Sequence, residues 1–280
     1  MRKVVCALLL VASFAARLPA QTGKPLKIVD ATVSQIEDGQ PLGSGTLTPG
    51  ETAYFSFQVE NYKVGPDGEV RLTGHVQAFD PRGTPISTPD EIVIGTTLSQ
   101  EDKEWKPKLR SQAQVPPIAP AGAYTIRYDV TDTQTHAKAS GEAKFNVAGP
   151  NIAPSSELAI RNLGFYRGQD EETPLAVAAY RAGDMVWVKF NIVGYKYGEQ
   201  NAIDVSYDVA VSTSDGRQLF ARENAAVEKN QAFYPQPWVP GIFNLTLQST
   251  TKPGSYLLTI TAHDAIGNQT ASAKAPFKVE

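Results

Sequence analysis

The stretch PGETAYFSFQVENYKVG, residues 49–65, decides the fold, because the chain writes it twice. AGDMVWVKFNIVGYKYG at 182–198 repeats it without a gap: Gly50 aligns with Gly183, Phe57 with Phe190, Tyr62-Lys63 with Tyr195-Lys196 and Gly65 with Gly198. Within the first copy Ala53, Phe55, Phe57 and Val59 alternate with Tyr54, Ser56 and Gln58. The second sets Val186, Val188, Phe190 and Ile192 against Trp187, Lys189 and Asn191. A period of two over this length specifies a strand with one buried face.

The register extends outward in both directions. Val70, Leu72 and Val76 match Ile203, Val205 and Val209, and Trp105-Lys106-Pro107 matches Trp238-Val239-Pro240. After one deletion, Gly122-Ala123-Tyr124 matches Gly254-Ser255-Tyr256, Asp132 matches Asp264, and Phe145 matches Phe277. Turn residues separate the apolar runs, as in Pro66-Asp67-Gly68, Asp80-Pro81-Arg82-Gly83, Ser214-Asp215-Gly216 and Ala265-Ile266-Gly267-Asn268. No segment carries a helical amphipathic period. Short strands with Gly/Pro punctuation predict an all-β chain of two tandem antiparallel β-sandwiches, at 21–148 and 157–280. VAGPNIAPSS (147–156) supplies the linker, with 149–156 as its span.

Residues 1–20 read as a cleavable signal peptide: Met1-Arg2-Lys3, an apolar run from Val4 to Ala16, then Leu18-Pro19-Ala20 before Gln21. The run is too short to span a bilayer, which takes about 20 residues. Cys6, the single cysteine, lies inside it, so the mature chain is expected to have no disulfide and no thiolate metal site. Removing Arg2, Lys3 and Arg17 takes the 26 basic residues to 23 against 29 acidic ones, a net charge near −6. That balance opposes nucleic-acid binding. No later run is long enough to insert in a membrane, and a secreted or periplasmic location is the expectation.

PAGAYTIRYDVTD and KPGSYLLTITAHD resemble the Pro-Gly-x-Tyr lead-in to the penultimate strand of immunoglobulin-like and fibronectin type III sandwiches. The resemblance implies that Tyr124 and Tyr256 act as corner tyrosines, their hydroxyls bonded back to the main chain. AYRAGDMVWVKFNIVGY is similar to the Tyr-x-Pro-Gly-Asp/Glu strand opening of bacterial macroglobulin-type sandwiches, with Ala182 in place of the proline; the first copy keeps Pro49 but lacks the tyrosine. The resemblance implies that both antiparallel sandwiches are immunoglobulin-like, and it transfers no active site.

Chemistry is sparse. His75, His136 and His263 are scattered, none repeats, and none has metal-ligand spacing. There is no Gly-x-Ser-x-Gly elbow and no phosphate-cradling glycine loop. Glu101-Asp102 and Asp170-Glu171-Glu172 read as solvated loop acids. The Asp264–Asn268 turn has oxygen ligands for a calcium ion but not the density of a dedicated site, and a tight hairpin explains it better. The expectation is therefore no enzyme, no metal and no cofactor. QAFYPQPWVPGIF (231–243) remains as a long aromatic connection whose Phe233, Tyr234, Trp238 and Phe243 are the candidate ligand contacts. Packing is the competing explanation, most strongly for Trp238, because Trp105 repeats it in a charged loop. The functional expectation is an exported, non-enzymatic module binding a protein or glycan, with a carbohydrate-binding accessory or an envelope spacer as rivals.

Overall fold

The alternating runs fold as strands with the expected faces inward. The computed structural model describes residues 23–280 apart from Lys103, so the signal segment 1–20, its cleavage after Ala20 and Cys6 lie outside the described residues. Strand β3 (Thr52–Glu60) buries Ala53, Phe55, Phe57 and Val59. Burying one such side chain as large as Phe57 contributes about 1.5–3 kcal/mol. Its repeat, β11 (Met185–Val193), buries Val186, Val188, Phe190 and Ile192.

In the first half the other strands are β1 (Lys27–Ser34), β2 (Thr46–Leu47), β4 (Glu69–Phe79), β5 (Asp90–Thr97), β6 (Lys108–Gln114), β7 (Gly122–Asp132) and β8 (Lys138–Val147). They form a three-stranded sheet, β1-β3-β6, and a five-stranded sheet, β2-β8-β7-β4-β5. The second half repeats this order with β9 (Ala159–Tyr166), β10 (Ala179–Tyr180), β12 (Ile203–Thr213), β13 (Gln218–Asn230), β14 (Val239–Thr246), β15 (Gly254–Asp264) and β16 (Gln269–Val279). Its sheets run β9-β11-β14 and β10-β16-β15-β12-β13. The chain is thus an all-β, multi-domain sandwich with two apolar cores, and among the described residues the only departure from antiparallel pairing is two short strands. β2 and β10 pair parallel to β8 and β16.

Among the described residues there is no α-helix, and no helix long and apolar enough to cross a membrane. The long connection expected at 231–243 is shorter. β13 runs to Asn230 and β14 begins at Val239, because Val239, Gly241 and Phe243 alternate inward along a strand.

One buried carboxylate locks each sandwich. Asp132 is 2% exposed and Asp264 1%. Asp132 Oδ1 accepts the Gln134 amide at 2.9 Å, and its Oδ2 accepts the Lys63 amide at 2.7 Å. In the second copy Asp264 Oδ1 accepts the Ile266 and Gly267 amides, while Oδ2 accepts the Lys196 amide at 2.9 Å and Gln269 Nε2 at 2.9 Å. The repeated Lys therefore matters through its main-chain N–H. Each aspartate folds its own hairpin turn and also clips the loop that follows β3 or β11.

Asp264→Ala is expected to cost at least about 3 kcal/mol, because several buried donors lose one charged acceptor. Asp264→Asn should fall between wild type and alanine in urea unfolding. The carboxylate's lone pairs already face N–H donors, so added calcium should leave the unfolding midpoint unchanged.

Candidate functional site

The four aromatics of the 231–243 segment part company in space. Phe243 points into the second core from β14, and Trp238, just before that strand, is 6% exposed. Tyr234 is 8% exposed and belongs to the apolar cluster of the first sandwich, not the second. These three rings are packed within the protein. Phe233 alone, 55% exposed, offers its ring to solvent.

Tyr234 is seated on the turn that follows β4. Asp80, 3% exposed, accepts the Arg82 and Thr84 amides on Oδ1, both at 2.8 Å. Its Oδ2 accepts the Tyr234 hydroxyl at 3.0 Å, and Arg82 Nη2 donates to Asp80 Oδ2 at 3.1 Å and to the Tyr234 oxygen at 3.2 Å. A buried acid is thereby shared between an arginine of its own turn and a tyrosine 154 residues on. Burial raises the Tyr234 pKa well above the usual tyrosine range, and the adjoining Asp80 charge adds to the effect. Asp80 and Arg82 escape a sequence reading that sees only turn chemistry. A signal did exist: positions 80 and 234 are both unmatched between the copies, Asp80 standing opposite Thr213 and Tyr234 opposite Glu101.

The loop carrying Tyr234 is held from its own side as well. The Tyr195 and Tyr197 hydroxyls both donate to the Gln236 carbonyl. Asn201 Nδ2 donates to the carbonyls of Ala232, at 3.1 Å, and Phe233, at 2.7 Å. Gln231 Nε2 donates to Gln200 Oε1 at 2.6 Å. These amides and the Phe233 ring line a shallow groove of about 570 Å³. Tyr195, lined up with Tyr62 in the repeat, is raised far above the normal tyrosine range by burial first. Tyr62 bonds the corresponding loop two register positions further on, its hydroxyl donating to the Trp105 carbonyl.

The remaining sites are structural in geometry. Tyr124 donates to the Pro120 carbonyl at 2.9 Å and Tyr256 to that of Lys252 at 2.6 Å, each four residues back. His75 lies 3.1 Å from Asp129, and His263 lies 2.7 Å from Asp208 with Thr270 Oγ1 at 3.4 Å from its other nitrogen. This hydroxyl–imidazole–carboxylate chain runs across an open sheet face, with no cavity described here beside it. Among the described residues no three His, Cys, Asp or Glu side chains converge to hold a metal ion. The acid pair at 101–102 is exposed, and Asp102 accepts the Ser99 hydroxyl at 2.7 Å.

No protein-family model matches the chain, and no curated protein matches it. Solved structures with some likeness include red sea bream transglutaminase, 8% identical, covering 92% of this chain and 31% of that one, at a TM-score of 0.29. The C-terminal domain of the Streptococcus agalactiae AgI/II polypeptide BspA is 10% identical, with coverage of 91% and 99% and a TM-score of 0.30. The Pseudomonas fluorescens alkylpurine DNA glycosylase AlkC, bound to DNA containing an abasic site analog, is 16% identical over 44% of this chain and 30% of that one, at 0.27. The chain spans about a third of the transglutaminase's length. Likenesses this loose carry no argument about function.

Two outcomes test the junction. Tyr234→Phe should destabilise the folded chain by about 1–3 kcal/mol, since Asp80 loses a buried donor, and calorimetry should show the two halves melting more independently. Alkaline titration gives the second. The folded pKa values of Tyr195 and Tyr234 lie above the unfolded value near 10, so the stability they contribute is intact below pH 10 and falls as pH rises beyond it. Absorbance at the tyrosinate band should therefore show a group of tyrosines ionising only as the protein unfolds.

Proposed function

We propose that the chain is an exported, non-enzymatic tandem-sandwich protein that binds a protein or a glycan outside the cytoplasm, with Phe233 as the contact. The observation that carries this reading is the exposed ring itself. Leaving a phenylalanine in water forgoes about 1.5–3 kcal/mol of burial, and here the loop beneath it is held by the two Asn201 bonds and the Tyr234 anchor. A ring fixed before a ligand arrives loses little freedom on binding.

The surround favours the glycan. Gln200, Asn201 and Gln231 place side-chain amides beside the ring. With Asn201 Nδ2 and Gln231 Nε2 bonded within the protein, Gln200 Nε2 is left to donate and the Asn201 and Gln231 oxygens to accept from sugar hydroxyls, while a sugar face stacks on the aromatic. A protein hot spot would more often set such a ring among apolar neighbours. The spacer reading draws its support from the Asp80–Tyr234 bond, which would hold two modules at a fixed separation. Export rests on the composition of residues 1–20.

A glycan array and cross-linking in the native host identify the ligand, and Phe233→Ala then tests the contact. Affinity should fall at least tenfold, which corresponds to about 1.4 kcal/mol, with the unfolding midpoint unmoved because the ring is exposed. Unchanged affinity for every captured ligand would remove Phe233 from the site.

A further inference from the structure

The internal junction has two sides, and each side exists a second time, uncovered, at an end of the molecule. The receiving side is the Asp80–Thr84 turn of the first sandwich, closed by Asp80 N–H to the Thr84 carbonyl at 2.8 Å and Gly83 N–H to Asp80 at 3.0 Å. The same turn recurs in the second sandwich, where Thr213 N–H donates to Arg217 at 3.0 Å and Gly216 N–H to Thr213 at 3.0 Å. Behind both turns stand the paired corner tyrosines, Tyr124 and Tyr256. The Asp80 turn is filled by Tyr234. The Thr213 turn borders an open groove of about 750 Å³, the largest described here, with Leu219, Phe220, Leu247 and Tyr256 among its apolar lining.

The entering side has a free counterpart too. Tyr195, whose hydroxyl binds the Gln236 carbonyl in the Tyr234 loop, is buried at the junction, whereas Tyr62 and Trp105 form the same corner at the outer end of the first sandwich. Trp238 is 6% exposed and its repeat Trp105 is 37% exposed. Charge has changed in step with this. Where the junction loop carries Phe233-Tyr234, the free loop carries Gln100-Glu101, followed by Asp102, Lys103 and Glu104. The charged residues lining the groove are Arg217, Lys252 and Asp215, with Asp215 engaged by the Thr213 hydroxyl. An acidic tip with an exposed tryptophan thus matches a mostly basic rim around an apolar floor.

We infer that the end groove of the second sandwich receives the tip carrying Glu101, Asp102 and Trp105 of another copy of this chain, repeating the internal junction head to tail. Such a contact is heterologous, so it propagates as an open series and does not close into a two-fold dimer. It goes beyond the ligand reading above and uses none of its residues.

Sedimentation of the full mature chain up to about 1 mM, where even weak contacts register, provides the test. The weight-average mass should rise continuously with concentration and fall back in high salt, because the tip and rim attract through charge. Arg217→Glu with Lys252→Glu should abolish the rise, as should Glu101→Lys with Asp102→Lys, each by about tenfold or more in association constant. Mixing the two variants should restore it, since each then supplies the sign the other lost. These residues are exposed, and unchanged circular dichroism and melting would show that the variants fold. A strictly monomeric wild type, a closed dimer of fixed mass, or variants that associate as wild type does would each overturn the inference. So would failure of the mixed variants to recover.

Discussion

Each sandwich is organised around an almost wholly buried aspartate. Asp132 and Asp264 end the penultimate strand of their copies and take N–H donors from two places distant in sequence: the hairpin they begin and the loop after the first long strand. A buried acid in such a place is tolerated only because both of its oxygens meet N–H donors. The geometry also sets the loop positions. Once the Lys63 or Lys196 amide is clipped, the preceding tyrosine lies over the sandwich end with its hydroxyl against the neighbouring loop, at Trp105 or Gln236. Those loops in turn form the outer end of the first sandwich and the junction side of the second.

The junction applies the same device once more, between modules. Asp80 folds its own turn with two amide bonds and shares its other oxygen between Arg82 and a partner from far along the chain. The two copies share their internal carboxylate and differ in this external one. What repeats in the molecule therefore builds a sandwich, and what differs joins one sandwich to the next or leaves an end free.

Much of this architecture is legible in the sequence. The period of two in 52–60 and 185–193 gives the buried face residue by residue, because strand geometry fixes side-chain direction whatever packs against it. The order of strands in the sheets, repeated in both halves, follows the sequence repeat. The fate of the aromatic segment is not legible in the same way. Tyr234, Trp238 and Phe243 read alike as Pro-flanked aromatics, but one seats in the neighbouring sandwich, one is buried just before a strand and one lies in its own core. Hydrophobicity specifies that a ring seeks burial and is silent on which core takes it. Asp80, Asp132 and Asp264 pose the converse problem, since an aspartate beginning a turn is commonplace and its burial depends on donors more than sixty residues away.

The distance along the chain between Asp80 and Tyr234 also sets an order of events during synthesis. The last strand of the first sandwich ends at Val147, well before Tyr234 is made. At the usual pace of translation that interval is on the order of ten seconds, long compared with the folding of a small domain. Every other buried member of the first core, from Leu26 to Val147, is thus made while Asp80 has only its own turn and Arg82 for company. The arginine can serve as an interim counter-charge, holding the carboxylate ready until the second half of the chain supplies the tyrosine.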